Sequence, residues 1–190
     1  MKFLKDHEFI RGNCPMTKED IRILSLARLN LGHNTRALDV GAGTGSIAIN
    51  MAVNCVNGQI VAIERDEEAI DTIEKNLEKF QLNNFELVKG EALEVAEGIE
   101  GKFGSIFIGG SGGNLEKIIE VYGNKLEEDG TMVLNFITIN NVYKAMEKLK
   151  ELNFKVDCTM VNVSKNKGNS YMMVANNPIF IVEAKKNNNR

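Results

Sequence analysis

The chain of 190 residues is 43% hydrophobic, which suffices for one continuous core, and we expect a single domain over residues 1–190. Its formal net charge of -3 gives no general attraction for nucleic acid or for an anionic membrane surface, so neither is expected as a partner. The 3 cysteines are widely spaced and the 2 histidines have no ligand pattern, which argues against a disulfide framework and a metal site. No apolar run has the length of a signal-peptide core or a membrane span, so we expect a cytoplasmic location.

The first predicted helix lies in TKEDIRILSLARL. Thr17 is a plausible N-cap, Glu19 and Asp20 fall in the first turn, and apolar residues follow at helical spacing. The pattern therefore predicts a helix that begins directly after Thr17.

From Ala37 to Tyr122, short apolar runs alternate with amphipathic segments, including a short helix predicted near Glu91 to Glu97. This alternation is typical of parallel βαβ units. The pattern then changes, because KVDCTMVNVS and PIFIVEAK are strand-like runs joined by a polar loop that carries Lys165 and Lys167. We predict an α/β fold: a Rossmann-like, doubly wound, mostly parallel seven-stranded sheet with a C-terminal antiparallel hairpin. The tail 185–190 is expected to fray.

The segment ALDVGAGTGSIAI contains the strongest motif. A strand ends at Asp39, and glycines then alternate with small residues before a helix begins near Ser46. Glycines suit a turn that lies against a ligand, and a helix N-terminus offers unpaired N–H groups. A dinucleotide fingerprint would need glycine at position 46. The nearby carboxylate instead favours a cationic ligand such as S-adenosylmethionine, bound by Gly41, Ala42, Gly43, Thr44 and Gly45.

Two further strand ends complete a nucleoside-shaped site. Glu64 ends the second strand, where its carboxylate can accept hydrogen bonds from ribose hydroxyls. Ala92 follows the third strand, at the expected position of an adenine ring. A helix-capping role for Glu64 and ordinary packing for Ala92 are the alternatives.

With these residues, the chain resembles the class I S-adenosylmethionine-dependent methyltransferases. The stretches RGNCPMTKEDIR, FIGGSGGNLEKI and NNPIFIVEA narrow the resemblance to the decarboxylating cobalt-precorrin-6B C15-methyltransferases of anaerobic cobalamin biosynthesis. The resemblance implies that residues 1–16 lie on the cofactor and substrate side, and that Thr17 contacts the cofactor. A role as helix cap remains the alternative for Thr17.

The family's implied substrate is an anionic tetrapyrrole, a cobalt-precorrin, methylated at C15 with loss of carbon dioxide from an acetate side chain. The sequence identifies no catalytic side chain. Backbone N–H groups of the glycine loop, at a helix N-terminus, are natural receptors for carboxylates. The candidate substrate residues are Arg11, Gly109, Gly110, Ser111, Gly112 and Gly113, and Lys165 and Lys167 are possible further cations. The resemblance also implies a homotetramer and a separate C5-methyltransferase protein in the same pathway.

Two other functions compete with this interpretation. A class I methyltransferase of another small molecule, protein or RNA would keep the cofactor site, although 6% aromatic residues and no Trp disfavour RNA. A subunit that binds the cofactor without catalysis is harder to exclude, since no diagnostic catalytic side chain is expected.

Overall fold

A computed structural model describes residues 1–110, 112–169 and 171–187. Its main sheet has seven strands in the order β3-β2-β1-β4-β5-β9-β6. The strands are β1 (Ala37–Val40), β2 (Ile60–Glu64), β3 (Phe85–Lys89), β4 (Phe103–Ile108), β5 (Leu126–Phe136), β6 (Phe154–Val161) and β9 (Ile179–Lys186). The first five are parallel, whereas β9 pairs antiparallel with both β5 and β6. The predicted doubly wound sheet with a C-terminal antiparallel hairpin is confirmed.

Within the described ranges, five α-helices cover the sheet: α1 (Glu19–Arg28), α2 (Ser46–Asn54), α3 (Glu67–Phe80), α4 (Leu115–Asn124) and α5 (Ile139–Glu151). Apolar residues of α1 and α2 pack on one face, in a cluster with Ala37, Phe107 and Val133. Residues of α4 and α5 pack on the other face. Because both faces are covered, the central strands are almost wholly buried, as expected for parallel strands.

The register places three residues, two at loop entries and one inside β5, at the same height of the sheet. Val40 pairs with Ile108, and Ile108 pairs with Leu134. The next residues, Gly41, Gly109 and Asn135, therefore stand side by side at the carboxyl ends of β1, β4 and β5. Ligands bind at this edge in open α/β sheets.

Two local predictions are wrong. The N-cap of α1 is Lys18 rather than Thr17, and no side-chain hydrogen bond caps the helix. The segment predicted as a short helix forms only turns and a 3-10 helix at Ala96–Gly98, although the Glu91 carboxylate accepts from the backbone N–H groups of Leu93 and Glu94. Near the C-terminus, β9 includes the first two residues of the tail, and residues 188–190 lie outside the described ranges.

The N-terminal segment is tied across the helices by polar side chains. Leu4 donates its N–H to Asn50, and Ile10 exchanges hydrogen bonds with Asn76. Arg22, which is 0% exposed, donates to the carbonyls of Leu4 and Thr17. A buried guanidinium therefore fixes the backbone that leads into α1.

The polar loop before β9 forms a small hairpin of β7 (Ser164–Asn166) and β8 (Met173–Ala175). Several of its apolar side chains are exposed, including Tyr171 at 97%. Across the part of the chain that the structure describes, no helix has the length and apolar character needed to cross a membrane.

Candidate cofactor and substrate site

The glycine turn after β1 has a backbone that only glycine satisfies at its first position. Gly41 has a φ of 73°, and a Cβ atom there would lie 2.8 Å from the carbonyl oxygen of Gly110. The two glycine-rich loops, after β1 and after β4, are therefore in backbone contact. A side chain at position 41 would separate them, whereas a Cβ atom at position 110 would lie 3.9 Å from the Gly41 carbonyl oxygen, an ordinary contact.

Glu64 binds the same turn from the end of β2. One carboxylate oxygen accepts from the N–H of Gly43 at 2.7 Å, and the other accepts from the N–H groups of Arg65 and Asp66. A carboxylate has about four acceptor sites, so about one remains for a ligand hydroxyl. The carboxylate thus both orders the turn and keeps an acceptor for a ligand hydroxyl.

Asp39 is the buried acid of the site. It is 1% exposed, one oxygen accepts from the N–H of Ala48, and Oδ1 has no hydrogen-bond partner among the described residues. Burial raises its pKa to about 8, repulsion from Glu64 acts in the same direction, and the Ala48 hydrogen bond opposes them. A buried carboxyl with a free oxygen is a suitable partner for an ammonium group of a ligand.

A small cavity of about 200 Å³ lies between the ends of β1, β2 and β3. Its lining includes Gly41, Glu64, Gly90, Glu91, Ala92, Gly110 and Gly112. The fully buried Tyr122 donates its hydroxyl to the Ala92 carbonyl at 2.5 Å, and this bond holds the loop after β3. The predicted ribose and adenine residues therefore share one cavity.

The glycine loop after β4 contributes lining residues to two cavities. Gly110 and Gly112 line the small cavity, whereas Gly109 lines a large cavity of about 450 Å³. A Cβ at position 112 would lie 3.1 Å from the Arg65 guanidinium, so this loop also packs on the residue after Glu64. Gly113 lines neither cavity, and Ser111 lies outside the described residues.

The large cavity is assembled from distant segments. Its lining comes from the N-terminal segment, the glycine turn, β4, β5 and the residues before β9, and its polar members are Thr17, Lys18, Asp20, Asp39, Asn135, Asn176 and Asn177. Gly41 lines both cavities, and Ala42 and Gly43 also face the large one, whereas Thr44 and Gly45 line neither. The two cavities therefore meet at the glycine turn.

The sequence-predicted cations are placed elsewhere. Arg11 is exposed and pairs with Asp6 at 3.5 Å, and Lys165 pairs with Asp20 at 2.5 Å. Neither these two side chains nor Lys167 line the large cavity. Among the described residues that do, Lys18 is the only basic one, and it donates to Asn176 Oδ1 at 2.9 Å.

Sequence reasoning missed Lys18 and Asn135. Lys18 directly follows Thr17 in the PMTK stretch. This proximity to a residue predicted to contact the cofactor was the available indication that Lys18 lies in the site. Asn135 is a single amide inside the apolar run TMVLNFITI. A polar residue in an otherwise buried strand was the available signal, since such residues need a partner or a ligand.

Taken together, the site can hold a nucleoside that carries a cation. The glycine turn provides close backbone contact, Glu64 an acceptor, and the unpartnered Asp39 oxygen a place for positive charge. These features fit S-adenosylmethionine, with its nucleoside toward the small cavity and its charged end toward the large one.

Known proteins share this architecture over nearly the whole chain. A protein of Sulfolobus acidocaldarius, named probable cobalt-precorrin-6B C(15)-methyltransferase (decarboxylating), is 41% identical, over 96% of this chain and 97% of its own. A crystal structure named precorrin-6y C5,15-methyltransferase, from Geobacter metallireducens, has a TM-score of 0.91 and 36% identity, and covers 96% of this chain and 95% of its own. A structure named precorrin 8W decarboxylase, from Methanobacterium thermoautotrophicum, has a TM-score of 0.88 and 32% identity, with 95% and 98% covered. The family model described as precorrin methyltransferase domain matches residues 8–186, and this chain belongs to that family.

Proposed function

We propose that the protein is an S-adenosylmethionine-dependent enzyme that methylates C15 of a cobalt-precorrin and decarboxylates an acetate side chain, in cobalamin biosynthesis. The observation that carries the proposal is the junction at Gly41, where a nucleoside-sized cavity opens onto a large cavity in a chain of this family. We treat residues 1–190 as one domain, with residues 1–16 on the cofactor and substrate side.

The proposed cofactor contacts are distributed over three strand ends and the N-terminal segment. Gly41 to Gly45 hold the methionine end, with Ala42 and Thr44 within the turn, and Asp39 Oδ1 faces its ammonium. Glu64 accepts from the ribose, the Ala92 segment lies against the adenine, and Thr17 contacts the cofactor from the large cavity. When bound, S-adenosylmethionine supplies a methyl group already activated by its bond to a sulfonium.

The protein's part in methylation is alignment, since an activated methyl group needs no covalent nucleophile from the enzyme. In decarboxylation the bond between the acetate methylene and its carboxylate carbon breaks, and carbon dioxide leaves. The electron pair passes into the conjugated macrocycle, and the methylene carbon takes up one proton. The chain's residues orient the departing carboxylate and exclude water around it.

The substrate carboxylates have two groups of receptors in this proposal. The first group is the glycine loop, in which Gly112 and Gly113 directly precede the N-cap of α4, where partial positive charge favours anions. Lys18 provides a cation on the wall of the large cavity. The ion pairs of Arg11 and Lys165 with Asp6 and Asp20 make both weaker candidates.

We also propose a cytoplasmic homotetramer that works beside a separate C5-methyltransferase protein. The β7–β8 hairpin supports assembly, because it exposes Tyr171, Met172 and Met173. Exposed apolar side chains in one region are typical of subunit interfaces. Light scattering coupled to size-exclusion chromatography tests the tetramer, and a monomer would contradict it.

Product mass spectrometry tests the reaction. The purified protein, incubated with S-adenosylmethionine and cobalt-precorrin-6B, is expected to yield a product with one added methyl group and one lost carbon dioxide. Glu64→Gln, which weakens the acceptor for the ribose, is expected to reduce cofactor affinity by roughly 10-fold. A native protein that binds S-adenosylhomocysteine but leaves the precorrin unchanged would support the non-catalytic alternative.

A further inference from the structure

Asn135 and Ser25 form an isolated polar pair where α1 crosses β5. Ser25 is 0% exposed and donates its hydroxyl to the Ile21 carbonyl at 2.8 Å. Its oxygen then accepts from Asn135 Nδ2 at 2.9 Å. Asn135 Oδ1 lies 3.3 Å from the same hydroxyl oxygen. Because the hydroxyl has one proton, which it donates to Ile21, the shorter contact from Nδ2 is the hydrogen bond that joins the two side chains.

The amide keeps unused hydrogen-bonding capacity toward the large cavity. Asn135 is partly exposed and lines that cavity. Its second N–H and an Oδ1 lone pair are not engaged by the Ser25 hydrogen bond. The pair therefore presents an oriented amide to whatever occupies the cavity.

The sheet register places this amide close to the reacting region. Asn135 stands level with Gly109 and Gly41 on adjacent parallel strands. Adjacent strands lie about 4.8 Å apart, so the backbone of Asn135 is roughly 10 Å from the glycine turn. A substrate carbon that meets the cofactor's methyl group beside this turn has its neighbouring side chains within reach of Asn135.

Core stability alone does not explain the pair. Ile21, Leu26 and Leu29 of the same α1 region are apolar and buried, as is Val133, which lies two residues before Asn135 on the same face of β5. Two apolar residues would fill this position without a need for hydrogen bonds. A polar pair with one face in a ligand cavity points to recognition.

We infer that Asn135 is a substrate-binding residue whose amide N–H donates to the carboxylate of the acetate that is lost, and that Ser25 is a positioning residue acting through it. The inference rests on the proposed function. A neutral donor suits this carboxylate, because decarboxylation moves negative charge from the carboxylate into the macrocycle. A cation at the same place would stabilise the starting carboxylate more than the transition state and would slow the reaction.

The test compares variants of the full-length protein with S-adenosylmethionine and cobalt-precorrin-6B. Asn135→Ala is expected to lower kcat/KM for the decarboxylated product by roughly 10- to 100-fold, which corresponds to loss of a hydrogen bond to a charged group. Asn135→Asp, which keeps the shape but opposes a carboxylate with a negative charge, is expected to lose more. Asn140→Ala, on the exposed surface of α5, is the matched control.

Ser25→Ala separates positioning from packing. If Ser25 acts through the amide, its substitution reduces kcat/KM in the native background but has little further effect beside Asn135→Ala. Calorimetric binding of S-adenosylhomocysteine and the thermal midpoint are expected to change little in the Asn135 variants.

Three results would overturn the inference. If Asn135→Ala turns over the precorrin as fast as the native protein, the proposed contact does not exist. If Asn135→Ala loses S-adenosylhomocysteine binding and activity to the same extent, Asn135 belongs to the cofactor site instead. Additive effects of the Ser25 and Asn135 substitutions would make Ser25 a packing residue only. A native protein without precorrin turnover is a different result, since it rejects the proposed function itself.

Discussion

The two cavities that meet at Gly41 are built in different ways. The small cavity is lined by glycines and other residues at the ends of β1 to β4, and its key carboxylate accepts hydrogen bonds from three backbone N–H groups. The large cavity depends on side chains from the N-terminal segment, β5 and the residues before β9. The small cavity is determined by local sequence, whereas the large cavity exists only when distant segments of the chain meet.

This difference separates two kinds of specificity. The small cavity, called the backbone cradle below, suits a ligand that many related enzymes share, because its shape tolerates changes in side chains. A wall of side chains recognises a particular substrate, and single residues can alter it. Substitutions in the two cavities should therefore affect cofactor affinity and substrate turnover separately.

The strongest test of the backbone cradle is Gly41→Ala. The substitution places a side chain at a φ of 73° and 2.8 Å from the Gly110 carbonyl, so the two glycine loops must separate. Because a displacement of about 1 Å can cost about 100-fold in activity, we expect a loss of that order in kcat/KM, together with weaker S-adenosylhomocysteine binding. Gly98→Ala is the matched control, since no atom lies within 4 Å of the added Cβ. Equal behaviour of the two variants in calorimetry would contradict the backbone contact.

Local sequence sufficed for the cradle because its residues are close in the chain or follow successive strands. The spacing of glycines after Asp39 predicted the turn, and the α/β alternation brought Glu64 and Ala92 to the same edge. The acceptor role of Glu64 toward Gly43 could not be predicted, since it depends on the reach of the folded side chain.

The large cavity was less predictable for a physical reason. The α1 cap was misplaced because the Thr17 carbonyl is bound by the buried Arg22, a contact invisible in local propensity. Lys18 and Asn135 become neighbours of one cavity only through the sheet register and the folding of the N-terminal segment. The sequence instead drew attention to the cations Arg11 and Lys165, which pair with Asp6 and Asp20 and do not themselves line the cavity.

Arg22→Ala tests whether long-range anchoring supports the large cavity. The change removes hydrogen bonds to Leu4 and Thr17 and the ion pair with Asp6 at 2.9 Å. Loss of one partner from a buried pair costs about 3 kcal/mol, so urea titration should show a comparable decrease in the free energy of unfolding. Arg11→Ala also removes a partner of Asp6, but this side chain is 57% exposed, and the decrease should stay below about 1 kcal/mol. Unchanged catalytic constants for Arg11→Ala would also exclude Arg11 from substrate binding.

Asp39→Asn tests the buried carboxyl group on the wall of the large cavity. The unfolded carboxyl has a pKa of 3.8 and the folded one a pKa of about 8, so between these values the folded protein retains a proton that the unfolded chain has lost. The free energy of unfolding should therefore fall as pH rises through this window, by up to about 1.4 kcal/mol per pH unit, and level off above pH 8. Asp39→Asn should remove this slope in urea titrations of the ligand-free protein from pH 5 to pH 8. The same slope in both proteins would assign it to other groups.

The smallest expected effect concerns Lys18, the basic residue on the large cavity. An ammonium already hydrogen-bonded to Asn176 can still donate to a substrate carboxylate, but solvent near this exposed side chain weakens the contact. Lys18→Ala should raise the KM for the cobalt-precorrin about 3- to 10-fold, because an exposed charge pair contributes roughly 1 kcal/mol, and should leave S-adenosylhomocysteine affinity unchanged. Lys117→Ala removes an equally exposed lysine of α4 that pairs with Glu120, and its KM should match that of the native protein. Since screening by salt weakens exposed charge pairs, the difference between the two variants should shrink as ionic strength rises. A KM that rises equally in both variants would indicate general attraction by surface charge rather than a contact at the cavity wall.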